Sequence, residues 1–406
     1  MDETQEKKKK QRPSILWILI PAAALLLLAG IAGVRYGRID NPVQTVRAPF
    51  TAAPATARPV PAAPARAFSG EPGYMPSVDG LFCPESGLTR GLAAELLGAD
   101  PGESGDPEEI LTEETLCELT ASCSDRETAE AAMESIRGLG DETVTRAEAA
   151  LFFNRLFGLD GTPEETTYFP DAAPDYWAWA EIQTAGTGGR DWPGENGRLA
   201  PGFVTLDGYL YLADESGYFR KNQFAGSLKF DHTGRYTSGS YELDDYVAAM
   251  LRETTSESMS REEMLRAAYE QVRDGFTYLV RHYYNIGDEG WALGEALTMY
   301  STGKGNCYCF ASAFWAAARQ LGYEAKIVSG TYGTDRAPHG WVEIYDEDGV
   351  RHTFDPEVEM VLHRRGAKKE SLYDMSDSQR RNHEYVETPS KDNIVPRETN
   401  DGLLPR

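Results

Sequence analysis

The 406-residue sequence predicts a mixed architecture. An α+β domain lies at the C-terminus, a mostly helical repeat module in the middle, and a single transmembrane helix near the N-terminus. Three observations predict it. An uncharged run from Ile15 to Val34 follows the basic cluster Lys7–Lys10 and Arg12. Three stretches of similar pattern recur with marker threonines Thr89, Thr145 and Thr205, which are 56 and 60 residues apart. After Met259, helical periodicity gives way to strand patterns and a hairpin signal. Hydrophobic residues make up 41% of the chain and charged residues 26%, enough to build a globular core.

The N-terminal run is long enough for a membrane helix, which needs about 20 apolar residues. A cleavable leader would carry a shorter apolar core, although the small residues of AGIAG suit a cleavage site. The expectation is an uncleaved single-pass anchor over 15–34. Residues 1–14 stay in the cytoplasm and the C-terminal bulk is extracellular. Residues 35–72 are rich in Pro and Ala and read as a semi-rigid linker. The formal net charge of −24 repels phosphate backbones, so nucleic acid is not an expected partner. Five cysteines (Cys83, Cys117, Cys123, Cys307 and Cys309) are too few for a disulfide scaffold. A bridge from Cys83 to Cys117 or Cys123 stays open.

The repeat stretches are LFCPESGLTRGLAAELL (81–97), DETVTRAEAALFFNRLF (141–157) and GRLAPGFVTLDGYLYLA (197–213). They place a 73–215 module, each threonine standing where a helix N-cap belongs. Thr145, Arg146, Ala147, Glu148, Phe169, Asp171, Trp177 and Ile182 together resemble the S-layer homology module. The first copy keeps Pro84, Leu88, Thr89 and Arg90; the third has Leu206 in place of the arginine. The resemblance implies a compact three-repeat unit that holds exported proteins to cell-wall polymers through the arginine at the helix start. That points to Arg146 and Arg90. A guanidinium beside a helix N-terminus suits an anion. The alternative is that Arg146 pairs with an acid such as Glu142 and is structural. The connector, 216–258, reads as a hairpin through Leu228, Phe230 and Tyr236, followed by a helix at LDDYVAAMLRE.

In the 259–380 region, Ser260 and Glu263 form a capping box before Leu265, Ala268, Tyr269, Val272 and Phe276. Gly303 and Gly305 make a turn before Cys307, and Phe310, Ala311, Phe314, Trp315, Ala318 and Leu321 form an apolar stripe ended by Gly322. Cys307 therefore stands at a helix N-terminus, which favours the thiolate and offers N–H groups to an oxyanion. AKIVSGTY (325–332) reads as a strand, and Gly340–Tyr345 with Val350–Phe354 reads as a hairpin. His339 comes just before the first hairpin strand and Asp355 just after the second. With a three-residue loop His339 opposes Glu357, and Asp355 is two positions away on the same face. A thiol, a base and a carboxylate to orient the base suit nucleophilic acyl chemistry.

Gly305-x-Cys307-x-x-Phe310-Ala311, Gly322-Tyr323, His339-Gly340-Trp341-Val342-Glu343-Ile344 and Phe354-Asp355-Pro356 together resemble the transglutaminase-like superfamily. The likeness covers about 259–362. It implies a papain-like transglutaminase-core domain of α+β class and a Cys307–His339–Asp355 triad. It also implies attack on amide bonds of a peptide or protein substrate through an acyl-thioester, with water or an amine as acceptor. No cofactor or metal is expected. Zinc bound by Cys307, Cys309, His339 and Asp355 is disfavoured, because Cys-x-Cys is not the usual spacing. Trp291, Tyr300 and Asn306 are unranked candidates for an oxyanion side chain. Cys309 reads as a small buried bystander, Trp341 as packing on the cysteine-bearing helix, His352 and His363 as surface groups without partners, and 381–406 as a polar tail. The functional expectation is a membrane-anchored, cell-surface cysteine enzyme. The alternative is a non-catalytic wall-binding or scaffolding protein.

Overall fold

The computed structural model describes residues 73–388, apart from 100–104, 122–123, 141, 160–165, 285–287, 289 and 347. The expected basic segment, membrane span and linker (1–72) lie outside the described residues, as does the tail past 388. Among the described residues, no helix is long and apolar enough to cross a membrane.

The middle region comprises β1 (Met75–Pro76), α1 (Arg90–Leu96), α2 (Glu113–Ala121), α3 (Arg126–Ile136), α4 (Arg146–Phe157), α5 (Trp179–Ala185) and β2 (Gly186–Thr187). β1 and β2 pair in parallel. Thr89 caps α1 by accepting from the Leu92 amide. Thr145 caps α4 within a full capping box with Glu148. Phe82, Leu88, Leu111, Leu116, Val144 and Phe152 meet in one core. The residues just before three helix starts form a closed ring of backbone hydrogen bonds. Leu88 N–H donates to the Val144 carbonyl (2.7 Å), Val144 N–H to Leu111 (2.8 Å), and Leu111 N–H to Leu88 (2.9 Å).

That ring corrects the repeat assignment. The related threonines are Thr89, Thr112 and Thr145, each directly before or at the start of a helix. Thr205 starts no helix: it lies in β3 (Gly202–Leu206), which pairs antiparallel with β4 (Tyr209–Ala213). The reason is the turn. Asp207 and Gly208 both adopt positive φ, +49° and +79°, the conformation a two-residue hairpin loop requires. The expected third helical repeat is therefore a hairpin. β5 (Gln223–Ala225), β6 (Leu228–Phe230) and β7 (Tyr236–Thr237) form a three-stranded meander in which β6 and β7 are the expected hairpin. α6 (Tyr241–Thr254) follows, capped by Ser240.

The C-terminal region runs α7 (Arg261–Gly275), β8 (Thr277–Tyr278), α8 (Ala292–Thr302), β9 (Lys304–Gly305), α9 (Cys307–Gln320), β10 (Lys326–Tyr332), β11 (Ala337–Tyr345), β12 (Arg351–Phe354), α10 (Pro356–Arg364), α11 (Asp377–Asn382) and β13 (Val386–Glu387). The capping box of Ser260 and Glu263 starts α7 as expected. The main sheet has the order β12-β11-β10-β13, all antiparallel. Strand alternation splits its side chains between two cores. Val342 and Ile344 join Phe310 and Phe314 of α9. Trp341 goes to the other core, with Val328, Val358, Leu372, Met375 and Tyr385. Trp341 thus does not pack on the cysteine-bearing helix, because it has the opposite strand parity to Val342. The far end of α9 is braced by the hairpins and by α6: Gln320 Nε2 donates to the carbonyls of Gly208 (3.1 Å) and Asp244 (3.3 Å), and Arg319 Nη1 donates to Ser227 Oγ (3.0 Å).

The polar-tail expectation fails for 381–388. β13 closes one edge of the sheet by pairing with β10, and Tyr385 is buried.

Candidate active site

The start of α9 is fixed from two sides. Its N-cap residue Asn306 accepts the Cys309 amide on Oδ1 (3.4 Å) and donates Nδ2–H to the His282 carbonyl (2.8 Å). β8 runs parallel beside β9, with Leu279 N–H donating to Gly305 (2.8 Å). Gly305 is required by close approach: a Cβ there would fall 2.3 Å from the Cys309 Cβ. Cys307, the first residue of α9, is 3% exposed, and its sulfur lies 4.0 Å from the Pro338 carbonyl. The first-turn amides of α9 lie beside this sulfur and can receive an oxyanion.

The hairpin delivers the other two groups. β11 and β12 pair Val342 with Phe354, so extrapolating this register sets His339 opposite Glu357, as the sequence predicts. His339 lies inside β11 rather than before it, opposite Gly330 of β10. Asp355 is the N-cap of α10, and its Oδ1 accepts the Val358 amide (3.0 Å). Its Oδ2 meets His339 Nε2 at 2.5 Å. With Nε2 engaged, Nδ1 is the ring nitrogen left for the thiol. Burial opposes a charge on His339, but the Asp355 carboxylate and the Cys307 sulfur, which also bonds to the ring, raise it well above an ordinary imidazole. His339 is therefore held protonated, the state that pairs with a thiolate. The structure brings Cys307, His339 and Asp355 together.

Sequence reasoning missed Tyr385. Its hydroxyl donates to Asp355 Oδ2 at 2.7 Å, and its ring lies 5.2 Å from Trp341. The local sequence holds no signal for it. Only the pairing of β13 with β10 carries this tyrosine to a carboxylate 30 residues away.

Cys309 is buried, as expected, but it is held by polar partners. Its thiol donates to Glu295 Oε2 at 2.6 Å. Arg281 Nη1 reaches the same oxygen at 2.6 Å and the Cys309 sulfur at 2.9 Å. Tyr284 donates to Glu295 Oε1 at 2.7 Å. Burial, then the Glu295 carboxylate, pushes the Cys309 thiol up to about 12, so it stays neutral. Among the described residues Cys83, Cys117, Cys307 and Cys309 are all free thiols; Cys123 lies outside them.

Two of the three oxyanion candidates are committed elsewhere. Tyr300 donates to the Ala313 carbonyl (3.0 Å), and the Asn306 side chain is spent on His282 and Cys309. Trp291 stacks on Tyr284 (5.4 Å) and meets Tyr308, the neighbour of Cys307, edge-on (4.9 Å). His352 and His363 have partners after all: Asp374 Oδ1 for His352 Nδ1 (2.7 Å), and the Glu370 carbonyl for His363 Nε2 (2.7 Å).

The arginines expected to meet a wall polymer are turned inward or paired. Arg146 is 1% exposed, and its Nε and Nη2 donate to the carbonyls of Phe82 (2.9 Å) and Pro76 (2.6 Å). Its guanidinium ties chain segments inside the core, so it is structural, though its partners are carbonyls rather than Glu142. Arg90 is held by Glu109 at 2.8 Å. Among the described residues, one group could hold a metal ion: His339, Asp355 and Glu357, with donor atoms within 4.8 Å of one another. Both Asp355 oxygens already serve hydrogen bonds to His339, Tyr385 and Val358, which suits a hydrogen-bonded triad better than a metal site.

No curated protein matches the chain. Residues 248–356, which begin within α6 and contain Cys307, His339 and Asp355, match the family model of the transglutaminase-like superfamily, so this chain carries a transglutaminase-like domain, a fold of cysteine-based acyl transfer or hydrolysis.

Proposed function

We propose that the chain is a cysteine enzyme in which Cys307 attacks an amide carbonyl of a peptide or protein and forms an acyl-thioester. The observation that carries this reading is the line Cys307–His339–Asp355, with the thiol at a helix start and the imidazole held charged by its carboxylate. The Cys307 thiolate adds to the carbonyl carbon, and first-turn amides of α9 receive the oxyanion. His339 then gives its proton to the departing amine as the tetrahedral adduct collapses. Water or a second amine, deprotonated by His339, releases the acyl group. Asp355 fixes the ring and is itself fixed by Tyr385 and the Val358 amide.

The apolar run at 15–34 supports a membrane-anchored, cell-surface location. The likeness of 81–97 and 141–182 to S-layer homology repeats supports a cell-wall polymer as partner, through side chains other than the buried Arg146. Protease accessibility on whole cells tests the first, and retention of the 73–215 segment by purified walls tests the second.

The enzymatic reading is tested with casein as substrate, following ammonia release and incorporation of a fluorescent alkylamine in parallel. Either product should depend on Cys307. A wild-type Cys307 that iodoacetamide alkylates no faster than free cysteine at pH 7 overturns the reading.

A further inference from the structure

Glu357 is unexplained by the triad. It lies in the first turn of α10, two residues past Asp355, and is 5% exposed. Its Oε1 is buried without a hydrogen-bond partner. A buried carboxylate oxygen left unpaired is costly and uncommon, so its position calls for a compensating interaction. That interaction is close by. One Glu357 oxygen, one Asp355 oxygen and a His339 ring nitrogen all lie within 4.8 Å of one another.

We propose that Glu357 is a positioning residue for the reaction: a second carboxylate beside His339 that, with Asp355, stabilises the imidazolium while Cys307 is a thiolate. Asp355 works by contact with Nε2, whereas Glu357 acts through space across a dry interior, where charge–charge interactions are strong. The inference rests on the reading of Cys307 and His339 as the reacting pair.

The charges around Glu357 define what it can do. His339 and Asp355 face it from the hairpin end, Arg364 and Arg365 lie at the far end of α10, and Tyr278 faces it from β8. Burial, reinforced by Asp355 and opposed by His339 and the two arginines, pushes the Glu357 carboxyl up to about 7. Below that pH Glu357 is neutral and lends His339 nothing. Above it the added anion makes the ring harder to deprotonate. The net effect is to extend the charged state of His339 toward higher pH.

The test is a histidine NMR titration of the full chain labelled with nitrogen-15, with wild type and Glu357→Gln compared and iodoacetamide rates recorded on the same samples. His339 should titrate about one pH unit lower, or more, in E357Q, with Glu357→Asp recovering part of the shift. Wild-type His339 resonances should also show an extra inflection near pH 7, which needs no variant to fold. A folded E357Q whose His339 titration overlays the wild type overturns the proposal. If E357Q does not fold, absence of the inflection in the wild type overturns it. Slow alkylation of wild-type Cys307 would instead count against the enzymatic reading, independently of the His339 shift.

Discussion

Cys307 and Cys309 sit two residues apart on one helix, both buried and both near a carboxylate, yet the chain uses them in opposite ways. Cys309 touches Glu295 directly, at 2.6 Å, and burial together with that anion keeps the proton on the sulfur. Cys307 meets its carboxylate through an imidazole, so the same negative charge instead holds a cation beside the sulfur. A carboxylate touching a buried thiol adds to burial in keeping it protonated; one ring away it keeps an imidazolium protonated instead.

The strongest way to break the contrast is to remove each sulfur. Cys307→Ala should abolish both casein products, whereas Cys309→Ala should keep most of the activity; equal losses would mean the two thiols share one role. Asp355→Asn keeps the shape but removes the charge behind His339, and should lower turnover by about 10³–10⁴-fold. Tyr385→Phe deletes one hydrogen bond to that carboxylate. A loss of about tenfold in kcat with KM unchanged is expected, and an unchanged kcat would make Tyr385 a packing residue only.

Glu295→Gln sharpens the other half. With its anion gone, the Cys309 thiol should titrate about one unit lower in a thiolate absorbance titration, while burial still holds it above an ordinary thiol, with little change in turnover. The unpaired Arg281 should cost about 1–3 kcal/mol in a denaturant titration. The smallest effect concerns pH and stability. The folded Cys309 thiol lies above its unfolded range, so its contribution is complete below the ordinary thiol pKa. It is lost as pH rises from there through about 12. Cys309→Ser should flatten the alkaline arm of the stability curve.

What could be read from the sequence divides along similar lines. His339 and Asp355 were legible because a hairpin converts residue numbers into positions: Val342 opposite Phe354 fixes everything nearby. Cys307 was legible because the turn at Gly303 and Gly305 and the apolar stripe mark a helix start; the Asn306 cap emerged only from the fold. Thr205 misled because a threonine before apolar residues looks like an N-cap. The Asp207-Gly208 pair two residues later was the stronger signal and imposed a hairpin. The true third partner, Thr112, was hidden by its spacing and by Glu113 in place of an arginine. Arg146 matched a surface motif but is consumed by two carbonyls from other segments, contacts no local pattern can show. Glu295, Arg281 and Tyr385 escaped for the same reason.

The pairing of β13 with β10 has a consequence for when the thiol becomes useful. The helix bearing Cys307 is synthesised about 80 residues before Tyr385, and strand β13 is the last described piece of the sheet. A growing chain thus carries its sulfur long before the hydroxyl that steadies Asp355 exists. If Cys307 reacts as proposed, the site is completed only once its C-terminal strand has docked, after the rest of the described domain has been made.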